Sequence, residues 1–382
     1  MKSLASNLLF TFGISVQPHS RPTIFRQLLQ RSIAIFCLGS LLIDLAAADE
    51  YYERYEFKPQ SGQINLAVQP LAYPLAFISS TIQRDRILKQ ALEKKGMQVK
   101  AFNFKKGNDI VKASSQDSLA MAFLGDMPTV NLAMKFPIAV GGLGKRNFSS
   151  VVSRNYARLD ELKGKRIGYS AGSSSHLVLL RGLKAAKLAE KDVQLVSIEP
   201  ADMPEALENN LVDAFSAWEP TPTISISRNA KNRAIYKGLS TDWVVFSKKW
   251  VENNPEIALL MMASYVRAIN WMRQSNEHLE IAAKWVLSDG KDFTGTASQI
   301  SVDKAMEIAR KDLLNVPGAP SIPSLVDGVP PLSREFDFLK EIGRIHTNAS
   351  DAALRNGFQY KDLKTIQASP KVYGLFHYDY EQ

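Results

Sequence analysis

The stretch from Leu162 to Pro220 limits what this chain can fold into more than any other part of it. It begins Leu162-Lys-Gly-Lys-Arg-Ile-Gly-Tyr-Ser-Ala-Gly-Ser-Ser-Ser-His176 and closes Val212-Asp-Ala-Phe-Ser-Ala-Trp-Glu-Pro220. A short apolar strand, Ile167 to Tyr169, runs into Gly172 and three consecutive serines, and a helix-forming segment follows at once. Serine suits an N-cap, and the free N–H groups of a first helical turn attract anions. A second strand then ends in Trp218 and Glu219, an aromatic face beside an acceptor. Strands that alternate with helices in this way predict an α/β architecture. In open α/β sheets small ligands sit at the carboxyl ends of the strands.

The same alternation starts at Gln63. Ile64 to Val68 reads as a strand, Pro74 to Lys95 as a helix stopped by Gly96, and Gln98 to Phe104 and Leu119 to Leu124 as strands. Pro128 then stands in the first turn of a helix running towards Lys135. Pro137 to Ser149, with Gly141, Gly142 and Gly144, reads as a connector. A second series follows: strand Arg166 to Tyr169, helix Ser175 to Leu188, strand Val193 to Ile198, a helix through Glu205 to Glu208, and strand Asp213 to Ala217. From Gly238 the character changes to a mainly helical tail, with a long helix opened by Asn254-Pro255 and a proline-rich interruption from Val316 to Pro331. The expected organisation is two α/β lobes: residues 62–145 with 238–382 as the first, and 146–237 as the second.

Residues 1–48 read as an export signal. Arg26 and Arg31 precede the apolar run Ser32 to Ile43, and Ala46-Ala47-Ala48 supplies small residues for cleavage near Ala48. The run is shorter than the roughly 20 residues a membrane span needs. This points to a periplasmic protein. Cys37 is the single cysteine and lies within that leader, so disulfides and cysteine-based catalysis or metal binding are excluded from the remainder. The formal charge is +9; the leader holds four basic residues against Asp44, a net +3, which leaves +6 for the rest. No dense basic run or aromatic RNA-binding motif accompanies that charge, so nucleic acid is not expected as a partner.

Four strand ends carry the candidate site. Ser173, Ser174 and Ser175 offer hydroxyls and backbone donors; the plain alternative is an N-cap worth about 1 kcal/mol. His176 adjoins them, but no Gly-x-Ser-x-Gly elbow is present, so no catalytic residue is assigned. Gly125 and Asp126 stand where a strand meets the Pro128 helix, and Gln69 and Tyr73 repeat the arrangement after the first strand. Trp218 would pack on a ligand body while Glu219 accepts from a donor; the plain alternative is a core tryptophan and a solvated acid. A carboxylate at an anion site is repulsive unless it contacts an amine or a donor shared with the ligand, which makes a zwitterionic ligand attractive. Asp242-Trp243 reads better as core. Gly141 to Lys145 fails as a phosphate loop because Arg146 stands where Ser or Thr is needed. The five histidines are scattered, and neither metal nor cofactor is expected.

Taken together, Leu162-Lys-Gly-Lys-Arg-Ile, the Gly-Ser-Ser-Ser-His turn, Ala206 to Ala214, Trp218-Glu-Pro220 and Asn254-Pro255-Glu256 resemble the nitrate/sulfonate/taurine substrate-binding proteins of ABC transporters. The resemblance runs from about Gln63 to Leu363. It implies a type II periplasmic-binding-protein fold, two lobes closing on a small anionic or zwitterionic ligand, with a membrane permease as partner, a monomeric state and no enzymatic activity. It also implies that Gln69, Tyr73, Gly125, Asp126, Ser173 to Ser175, Trp218 and Glu219 form the ligand site. The segment Asp289 to Pro331 departs from the family pattern. Thiamine-precursor (pyrimidine) binding or synthesis proteins share the outline and stand as the alternative; the cysteine-rich motif of the enzymes among them is missing here.

Overall fold

The computed structural model describes residues 52, 55–315, 319–321 and 329–381; the expected leader lies outside them. Its strands are β1 (Gln63–Val68), β2 (Gln98–Asn103), β3 (Met121–Gly125), β4 (Ile138–Ser153), β5 (Arg166–Tyr169), β6 (Gln194–Ser197), β7 (Ala214–Ala217) and β8 (Arg233–Ser247). They form one sheet in the order β2-β1-β3-β8-β4-β7-β5-β6. β1 pairs in parallel with β2 and β3, and β5 pairs in parallel with β6 and β7. Between these triplets run β4 and β8, antiparallel to one another from Ile138↔Ser247 to Ser153↔Arg233. β1 is buried from Ile64 to Val68, with a neighbour on each edge, and its one buried polar side chain, Asn65, donates through Nδ2 to Lys58 O and Ser118 O. The edge strands β2 and β6 keep exposed positions.

Fourteen α-helices are described: α1 (Leu75–Gln83), α2 (Arg86–Glu93), α3 (Gly107–Ala113), α4 (Asp126–Lys135), α5 (Ser174–Ala185), α6 (Met203–Glu208), α7 (Thr221–Arg228), α8 (Lys248–Asn253), α9 (Pro255–Gln274), α10 (Asn276–Thr294), α11 (Val302–Ala309), α12 (Ser333–Glu341), α13 (Ala352–Gly357) and α14 (Asp362–Ala368). A π-helical turn, Arg310–Leu314, continues α11. The described part of the segment that departs from the family pattern is thus largely helical.

Three expectations are corrected. The glycine-rich "connector" from Pro137 to Ser149 is most of β4. Its glycines serve packing: a Cβ at Gly141 would lie 2.6 Å from Met262 Sδ, and one at Gly142 3.0 Å from Tyr265 Oη, so they let α9 approach the sheet closely. The expected helical tail from Gly238 begins only at α8, because Gly238 sits within β8. The single helix from Pro74 to Lys95 is two, α1 and α2. Asp85 breaks it by accepting from Leu88 N at 3.0 Å as the N-cap of α2.

Asp85 also anchors the core of this half of the sheet. It is fully buried and takes Arg267 Nη2 at 2.7 Å, Arg267 Nε at 3.1 Å and Ser264 Oγ at 2.6 Å, both partners coming from α9. Arg267 Nη1 donates in turn to Tyr373 O at 2.8 Å and ties down the C-terminal segment. Around them Ile64, Leu66, Phe77, Met121, Phe246, Met261 and Ile269 form one apolar cluster. The other half is packed on both faces, by Val151, Ile167, Leu179 and Leu183 on one and by Val152, Met203, Leu207 and Phe215 on the other.

His176 belongs to this second half. It is buried in the first turn of α5, its ring centroid lies 4.6 Å from that of Tyr169, and its Nδ1 accepts from Gly172 N at 3.2 Å. Burial pushes its imidazole down from 6.5 to about 4.

Two outcomes follow. Arg267→Ala leaves the Asp85 carboxylate buried without its counter-charge and should cost about 3–5 kcal/mol in denaturant unfolding; a loss below about 1 kcal/mol would show that the pair does not hold α9 to α2. For His176, the unfolded chain takes up a proton near pH 6.5 that the folded one refuses until about pH 4. Its contribution is therefore complete above pH 6.5 and declines as the pH falls towards 4, by about 3 kcal/mol. His176→Asn keeps an acceptor for Gly172 N and should flatten that part of the stability–pH profile; an unchanged slope would refute the assignment.

Candidate ligand-binding cleft

The strand ends converge on one cleft. It is lined by Gln69 beyond β1, Gly125 at the end of β3, Ser173 and Ser174 at the start of α5 and Trp218 beyond β7, together with Ala72, Leu75, Gly107 and Pro128. Lys145 from β4 and Asp242 from β8 complete the lining. Its free volume is about 20 Å³, room for about one water molecule.

The twelve-residue α5 points its N-terminus at this cleft. Ser173 is its N-cap: Oγ accepts from His176 N at 3.2 Å and donates to Ser170 O at 2.7 Å. Ser174 has a different role. Its Oγ is buried without a hydrogen-bond partner among the described residues, and so is Trp218 Nε1. Two donors thus face the same lining without protein acceptors, and buried donors without acceptors are costly. A Cβ at Gly125 would stand 2.0 Å from Ser174 Oγ and 2.9 Å from Asp242 Oδ1, so only glycine permits this approach between the two halves of the sheet. Gln69 donates through Nε2 to Phe123 O at 2.8 Å, bracing the end of β3.

Four residues of the expected set stand behind the lining. Ser175 Oγ is 3.0 Å from Ser173 Oγ, and its carbonyl accepts from Ser216 Oγ at 2.8 Å, which ties α5 to β7. The Asp126 carboxylate turns to β8, accepting from Thr241 N at 2.9 Å and from Thr241 Oγ1. Burial pushes its carboxyl well up, and the nearby charge of Glu335 adds to the rise. The Tyr73 amide donates to Glu219 O at 3.0 Å, and its phenol is raised by burial and bonded to Ser298. Glu219 Oε2 accepts from Thr223 N at 3.3 Å in the first turn of α7, and burial raises its pKa. No serine hydroxyl bonds to the His176 imidazole among the described residues, so the sequence-adjacent serines and histidine are not arranged as a nucleophile with its base.

The acid in the cleft is Asp242, and beside it lies the cation that sequence reasoning missed. Lys145 is 1% exposed, and its Nζ lies 3.0 Å from Asp242 Oδ2. These two residues are register partners on β4 and β8. The same buried face continues through Asn147, Ser149 and Ser240. The opposite face carries Arg146, Phe148 and Leu239, all exposed. Polar residues alternating at 145, 147 and 149 are a strand signal that the three glycines obscured. At the rim, Lys106 forms an ion pair with Glu199, and Asn108 lies against Gly172.

Comparison with known proteins places these features. The chain is 28% identical over 245 residues to a Bacillus subtilis (strain 168) protein named for binding aliphatic sulfonates, an alignment covering 61% of this chain and 71% of that one. It is 24% identical over 221 residues to the taurine-binding periplasmic protein of Escherichia coli (strain K12), covering 56% and 67%. Among solved structures, the aliphatic sulphonate binding protein SsuA of Escherichia coli aligns with a TM-score of 0.58 at 18% identity, over 80% of this chain and all of that one. The alkanesulfonate-binding protein SsuA of Xanthomonas axonopodis pv. citri, bound to MOPS, gives 0.56 at 17% identity, over 75% and 94%. The fold is therefore that of the periplasmic binding proteins, as the sequence implied. The NMT1-like family model matches residues 87–287, just over half of the 382, and the chain belongs to that family.

Proposed function

We propose that this protein is the exported solute-binding component of an ABC importer and that it holds a small oxyanion in the cleft between the two halves of its sheet. The observation that carries this reading is the pair of unpartnered buried donors, Ser174 Oγ and Trp218 Nε1, beside the N-terminus of α5. Neutral donors at a helix N-terminus stabilise an anion without a fixed counter-charge, so the ligand can be released again. The names of the relatives, aliphatic sulfonate and taurine binding, fit that chemistry.

In this reading the lobes are residues 62–145 with 238–382, and 146–237. Both boundaries fall inside β4 and β8, so opening is a bend of these two strands. A void of about 20 Å³ is too small for a sulfonate, and the ligand enters with the walls apart. The closed form then docks on a permease in the membrane, and residues 1–48 direct export to the periplasm.

A thermal-shift panel of nitrate, alkanesulfonates and taurine tests the assignment. A ligand at 100 times its dissociation constant stabilises the fold by about 2.7 kcal/mol. Ser174→Ala and Trp218→Phe each remove one donor while keeping the packing, and each should weaken binding about tenfold or more, as loss of a hydrogen bond to a charged group does. Unchanged calorimetric affinity in both variants would remove these donors from the site.

A further inference from the structure

The cleft contains one buried cation and one buried anion, and they are already in contact. Lys145 Nζ and Asp242 Oδ2 are 3.0 Å apart, with side chains 2% and 8% exposed. Their charges cancel. A monoanion entering this lining finds the neutral donors of α5 but no cation free of a partner, and it meets the Asp242 carboxylate next to the Lys145 ammonium it seeks. A ligand with its own ammonium adds no net charge: its oxyanion turns to Lys145 and the donors of α5, its ammonium to Asp242, and the four charges close into a ring. Buried charges are tolerated when they are paired in this way, and like charges brought together across an interface select against the wrong partner. The 3.0 Å separation of the protein's own charges requires the ligand's two groups to lie close, on a chain of two or three carbons.

Building on the solute-binding reading above, we propose that Asp242, held by Lys145, is the specificity residue of the cleft and selects short ω-amino acids, sulfonic or carboxylic, over simple monoanions. Asp242 suits this part because it lies at the cleft: a Cβ at Gly125 would be 2.9 Å from its Oδ1. Glu219 does not, since its carboxylate accepts from Thr223 N in α7.

Calorimetric titration of the purified chain with matched pairs isolates the ammonium: taurine against ethanesulfonate, β-alanine against propionate, with nitrate as a bare oxyanion. The ammonium-bearing member of at least one pair should bind about tenfold or more tightly, a difference of about 1.4 kcal/mol. The pair that responds tells whether the acid is sulfonic or carboxylic. Asp242→Asn should bring the two members of that pair to within about threefold of one another. If that variant does not fold, the neutral pair Lys145→Gln/Asp242→Asn carries the same expectation. Ethanesulfonate or propionate binding as tightly as its amino counterpart, or nitrate alone binding, overturns the inference and leaves the solute-binding reading standing. An Asp242→Asn protein that folds and keeps the full preference also overturns it. Binding by no oxyanion of any kind ends both.

Discussion

Everything at the cleft is located by the pairing of β4 with β8. β3 hangs on one end of β8, from Met121↔Phe246 to Gly125↔Asp242, and β7 on the far end of β4, from Ser150↔Ala217 to Ser153↔Ala214. Between those attachments, Arg146–Ser149 and Gly238–Thr241 pair only with one another. The sheet narrows there to two strands. Two-stranded ribbons twist more than wide sheets, and a bulge between Leu143 and Lys145 re-aims the side chains that follow. That waist is where the proposed opening motion has least to break. Lys145 and Asp242 stand at its edge, so the proposed selector sits where the strands would bend.

Three ion pairs between the halves are individually weak. Lys106–Glu199 spans the rim, and Arg181–Glu335 and Lys184–Glu341 fasten α12 to α5. All are at least partly exposed, and such pairs contribute about 0–1 kcal/mol each. The buried donors of Ser174 and Trp218 favour opening, since water or a ligand can satisfy them once the walls part. A receptor has a use for such donors, which an anion completes. The Asp85–Arg267 pair has the opposite character. It is buried, with Arg267 donating through both Nε and Nη2 to one Asp85 oxygen, and it ties α2 to α9.

Much of this was legible in the sequence. The parallel units declared themselves through short apolar strands followed by capped helices, and Gly172 to His176 appeared where α5 begins. Gln69, Gly125, Ser173, Ser174 and Trp218 reach the lining; Tyr73, Asp126, Ser175 and Glu219 lie behind it, because position after a strand does not say which way a side chain turns. The long strands were hidden for two reasons. Gly141, Gly142 and Gly144 read as loop residues although they serve contact with α9 and α1. The polar face of β4 and β8 is buried in a cleft, so alternation there does not separate core from solvent as it usually does. Lys145 and Asp242 fell into that blind spot, since partners about a hundred residues apart become neighbours only through the register.

Distance measurement across the rim tests the central claim most directly. Spin labels at two exposed positions, Lys112→Cys in α3 and Glu205→Cys in α6, with Cys37→Ser to keep labelling specific, report the separation of the two halves. The account predicts a long or broad distance distribution without ligand that narrows to one shorter distance in saturating taurine or ethanesulfonate. Identical distributions with and without a ligand that calorimetry shows to be bound would contradict a clasp that bends at β4 and β8.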